Sequence, residues 1–246
     1  YWILIIQVLS LLAFPLVFVF CRGLFDRGYG LSKLIGLFCL AYISWITTSV
    51  FKVPFTSQLI FFSLSFFAVI SGALFYLYKN ELFKFFKNNW RIILCMESVF
   101  FVVFFIGIIF KYVNPDLWHP FRGGEKPMDL AYFTAVIRSP FMPPYDPWYA
   151  QGQMNYYYWG FILLGTVAKI VTAIPSVSYN IAGAVLYGIV GVSTFSVLFN
   201  LIHITSFPDF IKKKYSDLRN TKHIWRKSII GGLLGVVFVC FLGNLD

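Results

Sequence analysis

The sequence predicts an all-α fold, a polytopic integral membrane bundle of helices. Hydrophobic residues make up 59% of the 246-residue chain and charged residues only 12%, whereas a soluble domain carries about 25% charged residues. Long apolar runs alternate with segments that hold most of the charges. Because a helix of about 20 apolar residues crosses a bilayer, we expect a multi-pass protein of the cell (plasma) membrane.

Six apolar runs are long enough to be predicted as membrane spans, and a seventh, at 156–174, is ambiguous. That run is short, contains Lys169 and ends at Pro175. Residues 79–91 alternate basic residues with Phe and Trp, which is typical of a segment at the membrane surface. The six predicted spans lie at about 1–20, 34–51, 58–78, 92–111, 179–203 and 229–243.

The chain is divided into two parts near residue 91. Residues 1–91 hold three spans and the interfacial segment, and residues 92–246 hold the other spans and a long loop at 112–155. The chain starts at Tyr1 inside an apolar run and stops soon after another, in FLGNLD. We therefore expect a piece of a longer protein whose C-terminal part is missing.

The formal net charge of +10 indicates basic loops at a membrane surface, and we expect no nucleic acid partner. The basic residues concentrate in three segments, 21–33, 79–91 and 204–228. In the first of these we count Arg22, Arg27 and Lys33 as loop charges. The positive-inside rule places all three segments in the cytoplasm.

This orientation places the N-terminus and the loop 112–155 outside the cell. It keeps the basic segment 204–228 in the cytoplasm only if 156–174 does not cross the membrane. We predict that 156–174 dips into the outer face or lies along it. The alternative is an ordinary spanning helix that departs from the positive-inside rule.

Cysteine and histidine give no sign of a disulfide or a metal site. The four cysteines lie in or beside apolar runs without CxxC spacing, so we interpret them as small buried apolar residues. The three histidines are too scattered along the chain to suggest a metal site.

The loop 112–155 is where we expect the chemistry. Loops of this length are usually functional or disordered, and this one is rich in aromatic residues, which disordered segments lack. Its stretch FRGGEKPMD brings two cations and two carboxylates around a glycine pair. Asp129 is either the N-cap of a short amphipathic helix or a catalytic carboxylate. Glu125 and Lys126 are either a solvated surface pair or part of the same site.

Two further features of this region have competing interpretations. Asp146, within PPYDPW, is predicted to be a turn residue rather than a catalyst. The aromatic block NYYYWG at 155–160 is either a belt at the membrane interface or the lining of a site. Carboxylates, cations, paired glycines and aromatic rings in one ordered loop favour a site for a substrate with a phosphate and a sugar.

The motifs resemble a known family. The stretch GGEKPMDLAYFTAVIRSPFMPPYDPWYAQGQMNYYYWG, with FDRGYGLSKLIGL upstream and SYNIAG downstream, resembles the YYY family of bacterial and archaeal membrane proteins. That family carries a domain of unknown function and is named for its tyrosine triplet. Its members usually have Gly where this chain has Gln151, and they are much longer.

More distantly, the layout is similar to fold-C (GT-C) glycosyltransferases that use polyprenyl-phosphate sugars. The resemblance implies that 92–246 begins a GT-C-like core and that 92–111 is its first helix. It also implies that Asp129 or Glu125 is the essential loop carboxylate. The stretch PPYDPWYAQGQMNYYYWG would be the aromatic substrate loop.

Our leading hypothesis is a glycosyltransferase that moves a sugar from a polyprenyl-phosphate donor to a hydroxyl acceptor at the outer face. Asp129, and after it Glu125, would take the acceptor proton or hold a divalent metal ion. The residues expected to bind substrate are the basic residues Arg122, Lys126, Arg138 and Lys169 and the aromatic residues Trp148, Tyr156, Tyr157, Tyr158 and Trp159.

Two other functions stay open. One is a transporter or lipid-handling protein, although Glu97 and Lys169 are the only charged candidates within the apolar runs. The other is a non-catalytic assembly subunit whose loop docks a partner. Sugar transfer that depends on a supplied polyprenyl-phosphate sugar would distinguish the enzyme from both alternatives.

Overall fold

The computed structural model describes residues 1–117, 124–172, 174–212 and 218–243, with side chains described outside 207–222. Within these residues the secondary structure is helical, and a single isolated bridge pairs Tyr145 with Gln153. The all-α prediction is confirmed. The helices in chain order are α1 (Trp2–Phe20), α2 (Ser32–Phe51), α3 (Ser57–Val113), α4 (Lys126–Arg138), α5 (Trp159–Val171), α6 (Pro175–Lys212) and α7 (Leu218–Val237).

Five of these helices are long and apolar enough to cross a bilayer: α1, α2, α3, α6 and α7. A 3-10 turn at Tyr29–Leu31 leads into α2, and a π-helical segment at Phe238–Leu242 extends α7. Large apolar side chains cover the outer surface of these helices, as lipid-facing positions require. On the first part of α3 they are Phe61, Phe62, Phe66, Val69 and Ile70.

Helix α3 contains two of the predicted spans, 58–78 and 92–111, and the interfacial segment between them. Its 57 residues would extend for roughly 85 Å if straight, nearly three times the roughly 30 Å of a bilayer core. Asn89 departs from helical geometry, with φ −116° and ψ 17°. The six predicted spans therefore correspond to five helices, because the third and fourth continue into each other through a kink.

Both parts of α3 pack against α1. Phe67, before the kink, clusters with Ala13 and Val17. Glu97, after the kink, accepts a hydrogen bond of 2.7 Å from the Gln7 side chain. Since α1 has only 19 residues, α3 contacts it twice within one helix length.

The second part of α3 lies antiparallel to α6, and small residues allow the close approach that membrane helices favour. A Cβ added at Gly107 would lie 3.1 Å from the Cα of Ala184, and one at Gly188 would lie 3.1 Å from the backbone oxygen of Phe100. This packing places the C-terminal end of α3 beside the N-terminal end of α6. The long loop starts from that end.

Helices α4 and α5 lie side by side next to this end of the bundle. A Cβ at Gly165 would meet Val136 at 2.7 Å, and the Tyr132 and Phe161 rings lie 5.9 Å apart. The 13 residues of α5 extend for roughly 20 Å, less than the roughly 30 Å core. This length agrees with the prediction that 156–174 does not cross the membrane.

One predicted loop charge is misplaced. Lys33 belongs to α2, is 1% exposed and pairs with Glu97 of α3. A buried cation needs a compensating carboxylate, and the partner lies too far along the chain for a local pattern to reveal it. The first basic segment therefore presents Arg22 and Arg27 rather than three cations.

Candidate functional site

Helix α4 begins at Lys126, four residues before the start that an N-cap at Asp129 would give. Pro127 lies in its first turn, where proline is favoured because its missing N–H has no helical partner there. The backbone N–H of Asp129 donates to the carbonyl of Glu125 at 2.9 Å. Of the two interpretations of Asp129, the N-cap is therefore excluded, because Glu125 occupies that position.

The carboxylate of Asp129 lies near the hydroxyl of Tyr179, in the first turns of α6, and that hydroxyl favours the charged form of the carboxylate. The Tyr179 ring also packs edge-on against Phe133 of α4, with ring centres 5.8 Å apart. Partial burial and the nearby charge of Glu125 raise the pKa of Asp129, while the Tyr179 hydroxyl opposes this rise. A carboxyl with a raised pKa is suited to accept a proton nearer neutral pH.

Two lysines lie near these carboxylates. Lys111, in the last turn of α3, holds its ammonium 5.7 Å from the centre of the Tyr179 ring. The charge of Lys126 acts on Lys111, so the two cations are neighbours. Lys111 was not among the predicted site residues because it ends a predicted span, although a base in the last turn of a helix is a recognisable pattern.

The tyrosine block joins this cluster through Tyr157. The charges of Glu125 and Asp129 both act on its hydroxyl, and they help to raise its pKa together with desolvation, the largest cause. The ring centres of Tyr157 and Tyr156 lie 4.1 Å apart, and both side chains are exposed. We name the cluster of Glu125, Lys126, Asp129, Lys111 and Tyr157 the loop site.

The next two aromatic residues of the block face another helix. Trp159 packs edge-on against Trp45 of α2, with ring centres 5.4 Å apart. Tyr158 helps to line a groove of about 420 Å³ between α2 and the block. The groove is almost wholly aromatic, and Tyr157 belongs both to it and to the loop site. Its lining comprises Phe38, Tyr42, Trp45, Asn155, Tyr157, Tyr158 and Trp159.

The other predicted substrate-binding residues lie elsewhere. Arg138 is exposed in the last turn of α4, roughly 14 Å along the helix from Asp129. Trp148 is exposed. Its backbone N–H donates to the Asp146 side chain at 2.8 Å, which confirms Asp146 as a turn residue. Arg122 lies outside the described residues.

Lys169 connects α5 to the end of α4. Its ammonium donates to the carbonyl of Ser139 at 3.1 Å and lies 4.5 Å from the centre of the Phe55 ring. Burial lowers its pKa to about 8. These contacts give Lys169 a structural role where three segments meet, away from the loop site.

A second polar cluster lies inside the bundle. Glu97 pairs with Lys33 and accepts hydrogen bonds from Tyr29, at 2.8 Å, and Gln7, at 2.7 Å. Buried ionisable groups between apolar helices often mark functional positions. Glu97 stood out in the sequence as a charge within an apolar run, but its partner Lys33 lies 64 residues away.

The loop site offers two carboxylates for a metal ion. Among the described residues no group of three or more His, Cys, Asp or Glu is suitably placed. Mg²⁺ is commonly bound by one or two carboxylates together with substrate phosphates. Asp129 and Glu125 fit that arrangement, with the substrate supplying further oxygen ligands.

Comparisons with known proteins support the class of the molecule. Comparison with curated proteins gives no match, and comparison with solved structures gives none. One family model, described as "Uncharacterized membrane protein (DUF2298)", matches residues 39–246. That stretch begins within α2 and includes the loop site and the lining of the aromatic groove apart from Phe38. The chain therefore belongs to the DUF2298 family of uncharacterized membrane proteins.

Proposed function

We propose that this protein is a membrane glycosyltransferase that transfers a sugar from a polyprenyl-phosphate donor at the outer membrane face. The observation that carries the proposal is the double position of Tyr157, whose hydroxyl is within reach of the charges of Glu125 and Asp129 and whose side chain lines the aromatic groove. A lipid-linked sugar needs charged groups for its phosphate and aromatic surface for its sugar or lipid. The resemblance to fold-C enzymes supports the same activity.

The reaction assigns one role to each group of the loop site. The acceptor hydroxyl attacks the anomeric carbon, a carbon–oxygen bond forms there, and the bond to the donor phosphate oxygen breaks. Asp129 takes the hydroxyl proton, and the polyprenyl phosphate leaves with the bonding electrons. Lys126 and Lys111 stabilise the charge of that phosphate. The rings of Tyr156 and Tyr157 stack on the sugar, and the Tyr157 hydroxyl also binds the sugar or the phosphate.

A divalent metal ion is compatible with this assignment. Held by Asp129 and Glu125, it would supply Lewis-acid stabilisation of the phosphate when bound. In the proposal, residues 92–246 begin the catalytic core and residues 1–91 form the membrane helices beside it. In the same proposal the loop 112–155 faces the outside of the cell membrane, which the distribution of basic residues supports.

A transporter is the second candidate, favoured by the buried pair of Lys33 and Glu97. Intramembrane charges of this kind mark transport paths in other proteins. A lipid-handling protein or a non-catalytic assembly subunit would use the aromatic groove or the loop without chemistry. These alternatives predict no sugar transfer that depends on a lipid-linked donor.

The test measures sugar transfer in membranes that contain the protein as the cell makes it. Polyprenyl-phosphate glucose and polyprenyl-phosphate mannose are supplied in turn or withheld. We expect transfer that depends on one donor and is lost in Asp129→Asn. The matched control is Asp146→Asn, because Asn can accept the same turn hydrogen bond. Transfer that survives in Asp129→Asn, or never depends on a donor, would contradict the proposal.

A further inference from the structure

A basic cleft lies at the other end of the bundle from the loop site. It is formed where the turn after α1 meets the middle of α3 and has a volume of about 510 Å³. Asn200, which binds that turn, and Tyr179, which lies near the loop site, are separated along α6 by a rise of roughly 30 Å. The polar lining of this basic cleft comprises Arg22, Arg27, Lys84, Glu81, Asn88 and Asn89.

The cations of the basic cleft are available to an anion. Among the carboxylates whose positions the structure describes, none forms an ion pair with Arg22, Arg27 or Lys84. The Arg22 guanidinium lies 5.1 Å from the centre of the Tyr78 ring, and that of Arg27 lies 5.1 Å from the Phe18 ring. Aromatic contacts orient a guanidinium without neutralising its charge. Three bases face a single acid, Glu81, in the lining.

The backbone around Arg27 is held in a conformation that side chains seldom adopt. Arg27 has a φ of 53°, in the left-handed region, where strain persists only if the surrounding structure enforces it. Asp26 supplies that constraint, because its buried carboxylate accepts the N–H of Gly28 at 2.9 Å. It also accepts from Ser196 at 2.7 Å and Asn200 at 2.7 Å, both on α6.

The buried Asp26 network therefore fixes the turn that presents Arg22 and Arg27. Asn200 completes it by accepting the N–H of Phe25 at 2.8 Å. A rigid turn reduces the conformational entropy lost when a ligand binds. Neither the loop site nor its proposed reaction uses this network.

The rest of the lining of the basic cleft is apolar. It is formed by Phe18, Leu24, Phe25 and Phe85. A small inorganic anion would use only the charged side, whereas a phospholipid presents a phosphate next to hydrocarbon. The lining thus matches the boundary between a lipid headgroup and its acyl chains.

We propose that the basic cleft binds an anionic phospholipid, whose phosphate contacts Arg22, Arg27 and Lys84 and whose acyl chain packs on Phe18 and Phe85. The positive-inside rule assigns this end of the bundle to the cytoplasmic leaflet. Basic pockets between helices on that side bind anionic headgroups in other membrane proteins. This site is independent of the proposed enzyme activity.

Native mass spectrometry of the purified protein tests the proposal. The protein is titrated in detergent micelles with phosphatidylglycerol, with phosphatidylcholine and with inorganic phosphate. We expect retained phosphatidylglycerol and about a tenfold or greater loss of affinity in Arg22→Gln/Arg27→Gln, since each charge-assisted contact contributes substantially. The control Lys87→Gln/Arg91→Gln removes the same charge from exposed positions that do not line the cleft.

Three outcomes would overturn the proposal. The first is an equal loss of phosphatidylglycerol affinity in the control Lys87→Gln/Arg91→Gln. The second is retention of phosphatidylcholine equal to that of phosphatidylglycerol. The third is displacement of phosphatidylglycerol by inorganic phosphate at a similar concentration. If the double variant does not fold, Lys84→Gln decides the question, because that side chain is exposed. This single variant should lower phosphatidylglycerol binding more than Lys87→Gln does, and equal effects would refute the site.

Discussion

Lys33 on α2 and Glu97 on α3 form an ion pair within the helix bundle, with side chains 2% and 18% exposed. The Lys33 ammonium also lies 4.9 Å from the centre of the Phe100 ring. Glu97 in turn accepts hydrogen bonds from Gln7 and Tyr29. One carboxylate therefore connects α1, α2 and α3 and compensates a cation that has little access to water.

The first prediction concerns the stability that depends on this pair. Glu97→Gln leaves Lys33 buried without a countercharge, a change that costs about 3–5 kcal/mol. We expect a clearly lower midpoint of thermal unfolding in detergent, followed by the loss of monodisperse protein. Glu81→Gln is the control, because Glu81 is exposed and forms no ion pair with a described residue.

The double variant Lys33→Met/Glu97→Gln sharpens this test. Removing both charges eliminates the uncompensated cation, so much of the lost stability should return. A Glu97→Gln protein that unfolds at the same temperature as Glu81→Gln would show that the pair contributes nothing to stability.

The membrane helices could be predicted because their cause is local. A run of apolar residues with few charges specifies a spanning helix by itself, and five of the predicted runs start or end within a few residues of observed helices. The kink at Asn89 was not predicted, because residues 79–91 have both an interfacial composition and adequate helix propensity.

The partners of individual side chains could not be predicted, because they lie far apart in sequence. Lys33 and Glu97 are 64 residues apart, and Asp26 and Asn200 are 174 apart. The start of α4 was misplaced for a local reason, since Pro127 in the first turn outweighed Asp129 as a cap. Gln151 has a φ of 64°, a left-handed backbone conformation that favours glycine and that the sequence alone did not indicate.

The second prediction concerns topology. In a variant without native cysteines, Ile174→Cys should react with a membrane-impermeant maleimide from outside the cell, and Lys87→Cys only after the membrane is opened. Both positions are exposed, so access depends on the side of the membrane. The expected side of labelling for each cysteine follows from the positive-inside rule. It also follows from the length of α5, which is too short to span the bilayer core. Labelling of Ile174→Cys only from the cytoplasm would mean that 156–174 crosses.

The third prediction concerns the pH dependence of sugar transfer. Because Asp129 must be deprotonated to accept a proton, the rate should rise with pH through its pKa. The charge of Glu125 raises the pKa of Asp129, and the hydroxyl of Tyr179 lowers that pKa. Glu125→Gln should therefore move the acidic limb of the rate profile to lower pH, and Tyr179→Phe should move it to higher pH.

Profiles of kcat/KM against pH measure these opposite shifts. Tyr149→Phe serves as the control, because this tyrosine is 71% exposed and does not act on Asp129. Shifts in the same direction, or none in either variant, would remove Asp129 from the role of base.

The last prediction separates the members of the tyrosine block. If the block were only an interfacial belt, Phe would replace each Tyr with equal ease. Tyr157 lies beside Glu125 and Asp129, whereas Tyr158 faces α2 in the aromatic groove. Losing a hydroxyl that binds substrate leaves a polar group unpaired, at a cost of about 1–3 kcal/mol. We expect Tyr157→Phe to lower transfer roughly tenfold to hundredfold, and Tyr158→Phe to be nearly silent.

The measurement is transfer by each single variant at matched abundance in the membrane. Tyr156→Phe should fall between the other two, because its ring contacts Tyr157 but its side chain is 62% exposed. Unequal effects at equal expression cannot come from anchoring, since a belt depends on the rings and not on one hydroxyl. Three silent variants would assign the block to the membrane interface and leave Asp129 and Glu125 without an aromatic partner for the sugar.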